Sequence, residues 1–370
     1  MVRDPLAGAV ALVTDLVAER AESWDRHGLL PHELLRKLGA SGVLCAEVAP
    51  THGGLGLSSQ HNGELTAYVG SLCSSVRSVM TSQGMAAWTV HRLGSGEQQS
   101  SYLPRLTGGD LAAVAFSEPD AGSDLSMIST QIRVDSDSVV LDGHKVWVTG
   151  AHYADLILVV GRYRDGAAAV VVPATAPGVR VERIADPLGC RAAGHADVHL
   201  DSVRLPVDSV LGGAGQSLTL LATSALAYGR ISVAWGCVGI LRGCLTAATR
   251  HARSRRQFGK PLVEHQLVAR HLAELLVSEQ VSTRVCEHAS QCWDSGASDM
   301  VMATMLAKYV SAGNAARGAA SAVQMLASAG ARDGHTVARA YRDAKLMEII
   351  EGSNELCQLI LARHVVAASA

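Results

Sequence analysis

The chain reads as a multi-domain α+β protein, with an N-terminal all-α domain over 1–111, a central antiparallel β-barrel domain over 112–216 and a C-terminal four-helix-bundle-like domain over 217–370. Three observations predict this. The first hundred residues space their apolar side chains at the helical period. Between about Leu111 and Leu211 the texture changes to short β-type runs with no helix between them, which argues for a small antiparallel barrel or sandwich. From about Ser217 the helical period returns and holds to the end.

In the first block, Asp15–Ala21 and Pro31–Leu38 are expected as helices, Pro31 suiting the first helical position. Thr51–Leu57 is a loop. Its Gly54-x-Gly56 pair is no dinucleotide fingerprint, because no strand precedes it and no third glycine follows in place. Helical spacing resumes over Val69–Leu93 and Gly94 ends it. The second block holds β runs at Ala112–Phe116, Ile128–Val134, Ser138–Leu141, Lys145–Thr149, Leu156–Val160, Ala168–Val172 and Val198–Leu205, with Asp142-Gly143 as a hairpin-turn signal. The third predicts helices over Ser217–Ala252, Val263–Trp293, Asp299–Ala329, His335–Ile350 and Asn354–Ala367, broken at a basic stretch, Arg253–Pro261.

Composition narrows the function classes. A formal net charge of −2 argues against nucleic acid or an anionic membrane as partner. No run approaches 18 uninterrupted apolar residues, and the opening Met-Val-Arg-Asp-Pro lacks the apolar core of a secretion signal, so a cytoplasmic protein is expected. Eight scattered cysteines form no Cys-x-x-Cys pair and lie mostly in apolar stripes. Buried free thiols are expected rather than a disulfide or zinc framework, and no metal is assigned.

Four segments carry chemistry. Glu351 sits beside Gly352 and Ser353, where one helix breaks and the next begins, so a base there can face a cleft with no bulky neighbour. Alone, such a Glu-Gly pair reads as a solvated helix end. Phe116–Asp124 follows a β run and joins Pro119 and Gly122 with the hydroxyls of Ser117 and Ser123, a loop able to grip a flat heterocycle. Alternation along Lys145–Thr149 places Lys145, Trp147 and Thr149 on one face, where an aromatic ring could pack. Arg255 and Phe258 occupy the basic break, offering a guanidinium fork for pyrophosphate and an aromatic to stack on adenine. Each also has an ordinary reading: a polar turn, a half-buried strand, a solvated loop.

Together and in this order, Ala115–Asp124, Arg255–Gln266 and Leu346–Ser353 resemble the acyl-CoA dehydrogenase flavoproteins, as do the Gly53–Gly56 loop and Leu188–Pro206. The resemblance spans essentially the whole chain and implies an α, β-barrel, α protein binding FAD non-covalently. It implies Glu351 as catalytic base. It implies that Phe116, Ser117 and Ser123 contact the flavin and its pyrophosphate, that Trp147 and Thr149 lie by the isoalloxazine, and that Ser353 and Glu355 lie near the cofactor. It implies that Arg255, Phe258, Gln266 and Gln324 hold the FAD of a neighbouring subunit in a homodimer or homotetramer. Met85 and Trp88, on the helix bordering the family's acyl pocket, with Arg230 and Gly352, are expected at the substrate. The family's thioester oxyanion is held by the base residue's backbone N–H and a flavin ribityl hydroxyl.

Three departures stand out. Ala327-Ser328 replaces a frequent Gly-Gly, Ile350 replaces the aromatic that often precedes the base, and Gly229 occupies the position before Arg230 where some members carry their base instead. More narrowly, Val69–Val90, Tyr228–Ile240 and Ala340–Glu355 resemble the dehydrogenases of polyketide clusters that help build hydroxymalonyl- or methoxymalonyl-carrier-protein extender units. That implies a small glyceryl-derived acyl group on an acyl carrier protein. The alternatives are a catabolic short- or branched-chain acyl-CoA dehydrogenase using a CoA thioester, a flavin monooxygenase on the same fold, and a flavin-free scaffold that binds a carrier protein.

Overall fold

The computed structural model describes residues 4–213 and 215–368. The opening residues 1–3, on which the absence of a secretion signal partly rested, lie outside them. Helices α1 (Pro5–Val17), α2 (Ala21–His27), α3 (His32–Ala40), α4 (Ser59–Leu72), α5 (Ser74–Leu93) and α6 (Gly96–Thr107) form the first block. The stretch expected as one helix over Asp15–Ala21 is instead a junction, because Glu19 at φ +66° cannot continue α1. Likewise Val69–Leu93 is divided at Cys73, whose extended backbone (φ −155°) ends α4 and starts α5. Gly94 closes α5 as expected. The sequence reading did not foresee α6, although Ser95 and Gln98 form a capping box at its start.

The middle block is one curled seven-stranded sheet of β1 (Ala112–Ala115), β2 (Gln131–Asp135), β3 (Ser138–Val148), β4 (Leu156–Tyr163), β5 (Gly166–Pro173), β6 (Val179–Arg183) and β7 (Ala196–Pro206). Most pairings are antiparallel, but β1 and β2 lie end to end along one edge of β4 and both run parallel to it. Asp142-Gly143 is not a turn. The β2–β3 hairpin closes at Ser136-Asp137, and β3 runs straight through Asp142-Gly143 with a register irregularity against β7. A Cβ on Gly143 would overlap Thr130, so the glycine serves close packing.

The C-terminal block comprises α7 (Leu218–Ser254), a small hairpin of β8 (Arg256–Gln257) and β9 (Lys260–Pro261), then α8 (Gln266–Ser295), α9 (Met300–Leu326), α10 (Thr336–Met347) and α11 (Asn354–Ala368). Helix α7 is long and apolar enough to cross a membrane, yet 72% of its most apolar window is buried within the protein. It is the central core helix, packed on α4, α5, α8, α9 and α10. Gly236 and Gly239 allow Arg77 and the α4 backbone to approach α7 where a Cβ would overlap them. All eight cysteines are buried and free.

Candidate active site

Helix α10 ends at Met347, three residues before the sequence suggested, and the chain turns irregularly to α11. A buried cation shapes that turn. Lys308 Nζ, from α9, donates to Gly352 O (2.7 Å), Asn354 Oδ1 (3.1 Å) and Glu348 O (3.4 Å). Arg230 Nε, from α7, donates to Glu351 O (3.1 Å). Held from both sides, Glu351 adopts φ +57° and Gly352 φ +90°. A left-handed glutamate is costly, and such strain persists where the surroundings impose it. The Ile350 N–H still bonds back to Leu346 O, but the Glu351 N–H finds no acceptor among the described residues.

The Glu351 side chain turns inward against Gly229 of α7, and its Oε2 is buried without a partner. Burial pushes its carboxyl up to about 7, against the opposing charges of Arg230, Lys308 and Arg77. A carboxyl poised near neutrality in an apolar setting suits proton abstraction.

Phe116–Asp124 is fastened to β3 by an ion pair the sequence reading missed. Lys145 Nζ donates to Glu118 Oε1 (2.7 Å) and Phe116 O (3.0 Å), with both side chains almost fully buried. Glu118 also accepts from the backbone N–H groups of Ser129 and Thr130 (2.6 and 3.0 Å). Burial pushes Glu118 up, but these bonds outweigh it and hold the carboxyl at about 2. The single face expected for Lys145, Trp147 and Thr149 does not form. A register shift between Lys145 and Val148 breaks the alternation, so Lys145 points into the core while Trp147, at φ +56°, is 54% exposed. Thr149 Oγ1 meets His195 Nδ1 (3.2 Å), and His195 packs on the Trp147 ring with its Nε2 buried and unpartnered. Ser117 sits beside β3, accepting from Val146 N–H (2.9 Å), and Ser123 is exposed on the loop.

Interior to this surface, Arg77 of α5 is 1% exposed and among the described residues forms no ion pair; it reaches Thr81 Oγ1 (3.2 Å) and Met347 Sδ (3.1 Å), and its Nε has no partner there. Met85 is buried two turns further along α5. Trp88 faces elsewhere. It stacks with Tyr228 and Trp293 and lines a cavity of about 450 Å³ with Glu47, Gly84 and Tyr228, which neither Glu351 nor Met85 borders. Arg77 and Lys308 escaped sequence reading because each is an isolated charge in an apolar helical stripe, and Glu118 because it is one of three carboxylates in a polar loop.

The remaining site residues lie at the outer end of the last block. Arg255, Gln266 and Gln324 are exposed, and Phe258, at the β8–β9 tip with φ +50°, is 93% exposed. Among the described residues no hydrogen bond or ion pair ties them to Phe116–Asp124. Ser353 caps α11, accepting from Leu356 N–H (3.3 Å), and Glu355 lines a groove of about 340 Å³ with Tyr309, Arg317 and Gln358. Ala327, where a glycine was expected, keeps a glycine-like backbone (φ +50°, ψ −133°).

A partly exposed Trp147, an unpartnered buried His195 nitrogen and loop hydroxyls at one strand end fit a flavin, and the frame around them is that of a three-domain flavin-dependent dehydrogenase. Family models for acyl-CoA dehydrogenase N-terminal, middle and C-terminal domains match residues 6–110, 113–203 and 219–366. The chain belongs to the acyl-CoA dehydrogenase family and is an FAD-dependent oxidoreductase. It is 30% identical to the glutaryl-CoA dehydrogenase of Desulfococcus multivorans, over 92% of this chain and 90% of that one. It is 63% identical to a solved structure described as FkbI for biosynthesis of the methoxymalonyl extender unit of the Fk520 polyketide immunosuppressant, over 97% of this chain and 99% of that one, TM-score 0.93. A glutaryl-CoA dehydrogenase from Mycobacterium smegmatis in complex with FADH2 matches at 27% identity over 100% of this chain and 95% of that one, TM-score 0.93.

Proposed function

We propose that this enzyme oxidises a small glyceryl-derived acyl group carried on an acyl carrier protein, toward a hydroxymalonyl or methoxymalonyl extender unit for polyketide assembly. The likeness to FkbI at 63% identity supports the pathway. The observation that carries the chemistry is Glu351, a buried carboxyl with an unpartnered oxygen on a strained turn. It acts as general base, taking a proton from the substrate. Bound FAD supplies the hydride acceptor. The free Glu351 N–H points to a donor for the thioester oxyanion. Arg230, Gly352 and Lys308 position the base.

Arg77 supports a polar acyl end. Among the described residues its buried Nε has no partner and only the charge of Glu351 opposes it, and a carboxylate or hydroxylated acyl group would satisfy it where a hydrocarbon tail would not. Met85 borders the acyl group, while Trp88 turns to the separate cavity beside Tyr228. Phe116, Ser117, Ser123, Trp147 and Thr149 hold the flavin of their own subunit, with Ser353 and Glu355 toward its far end. Arg255, Phe258, Gln266 and Gln324 hold the FAD of a neighbour in a homodimer or homotetramer. The bare Phe258 ring and the exposed apolar residues Leu267, Val277 and Leu359 support a covered face there. Division near residues 111 and 216 and a cytoplasmic setting, consistent with eight free thiols, complete the reading.

The test compares flavin bleaching by glyceryl-derived acyl groups on a carrier protein with bleaching by acyl-CoA esters. Faster bleaching by the carrier-bound group is expected. Faster bleaching by butyryl- or longer acyl-CoA would instead assign a catabolic acyl-CoA dehydrogenase.

A further inference from the structure

We propose that His288, Cys292 and Asp299 form a binding site for a divalent cation of the zinc type at the turn between α8 and α9. His288 and Cys292 stand four residues apart on one face of the last turns of α8, and Asp299 stands where α9 begins. Cys292 Sγ lies 3.7 Å from His288 Nε2, and donor atoms of all three residues fall within 4.8 Å of one another. In a tetrahedral zinc site, metal–nitrogen bonds of about 2.0 Å and metal–sulfur bonds of about 2.3 Å set donors roughly 3.5 Å apart. Small side-chain rotations would close the cluster to that geometry.

Asp299 gives a second, independent sign. It occupies the N-cap of α9, where an aspartate ordinarily accepts from the first-turn N–H groups, yet its side chain makes no such bond. Its carboxylate is left for the cluster. Imidazole, thiolate and carboxylate together suit zinc rather than magnesium or calcium, whose ligands are oxygens. Cys292 is 7% exposed while His288 and Asp299 are exposed, so an ion can enter and a water can complete the fourth position. Among the described residues no other group of His, Cys, Asp and Glu converges in this way.

Binding replaces the thiol proton of Cys292 by the metal and releases that proton to solvent. The ion would tie α8 to α9 across the left-handed Gly296 (φ +64°). Trp293, next to Cys292, packs on Trp88 and Tyr228, so the staple would brace that aromatic cluster.

The test titrates tag-free, FAD-loaded protein with Co²⁺ under reducing, anaerobic conditions. One equivalent should give tetrahedral cobalt d–d bands to the red of the flavin, release one proton, and be displaced by Zn²⁺. C292S should abolish these bands. H288A, at an exposed position that cannot unfold the core, should weaken binding at least about tenfold, with flavin content and flavin reduction unchanged. Absence of tetrahedral bands at one equivalent, or bands of undiminished affinity in H288A and C292S, would overturn the site and leave adventitious binding only.

Discussion

Glu351 and Gly229 exclude each other's alternatives: a Cβ on Gly229 would come within 2.5 Å of the Glu351 Cδ and closer still to Oε2. The absence of a side chain at Gly229 on α7 leaves room for the carboxylate on the α10–α11 turn to fold back onto it. Gly229→Ala should therefore displace the carboxylate. Alanine favours a helix over glycine by about 1 kcal/mol, so the melting temperature should change little while flavin reduction slows at least about tenfold. Rapid mixing with substrate beside a thermal melt separates the two effects. Normal reduction would show that the carboxylate does not work from this position.

Glu351→Gln keeps the size of the side chain but cannot accept a proton. General-base removal costs on the order of 10²–10⁴ in rate, so the variant should stay yellow and reduce its flavin at least about 100-fold more slowly. Near-normal reduction would place the base elsewhere.

The pH dependence has two opposite signs. With the Glu351 carboxyl raised to about 7, activity should climb as pH rises through about 7 and the carboxylate forms. Stability should run the other way. Between the ordinary glutamate range and about 7 the folded protein holds a proton that the unfolded chain has released, so stability is lost as pH rises through that window. Glu47, raised to about 7 chiefly by burial, contributes in the same window. In Glu351→Gln the slope of denaturation midpoint against pH should shrink without vanishing; an unchanged slope would refute the shifted carboxyl.

Lys145→Ala leaves Glu118 charged and buried with its cation gone. Breaking such a buried pair costs about 3–5 kcal/mol. Because the same pair fastens Phe116–Asp124 to β3, FAD should also dissociate more readily. Full flavin retention on gel filtration would show that the loop holds its shape unaided.

Ala327 carries a backbone conformation suited to glycine. Such strain costs on the order of 1–3 kcal/mol, so Ala327→Gly should raise the denaturation midpoint rather than lower it. A lowered midpoint would mean that the alanine methyl contributes more than the backbone loses.

Helical period and β-type runs were enough to order the three blocks, because each records burial at every turn or alternate residue of a long element. The same logic marked a helix break at Glu-Gly-Ser, where the family resemblance singled out Glu351. It failed where long-range contact outvotes local pattern. Asp142-Gly143 has the chemistry of a turn, but pairing with β7 carries β3 through it. Trp147 left the expected face because a bulge shifts the register by one residue, which reverses every side chain beyond it. Lys308, Arg77 and Gly229, the groups around Glu351, stand 43, 274 and 122 residues from it in the chain. No local periodicity connects groups so separated. The sequence by itself determined the order of the three blocks and the carboxylate standing at the break before α11. Only the packing of α5, α7 and α9 around that carboxylate decided its burial, its backbone strain and its affinity for a proton.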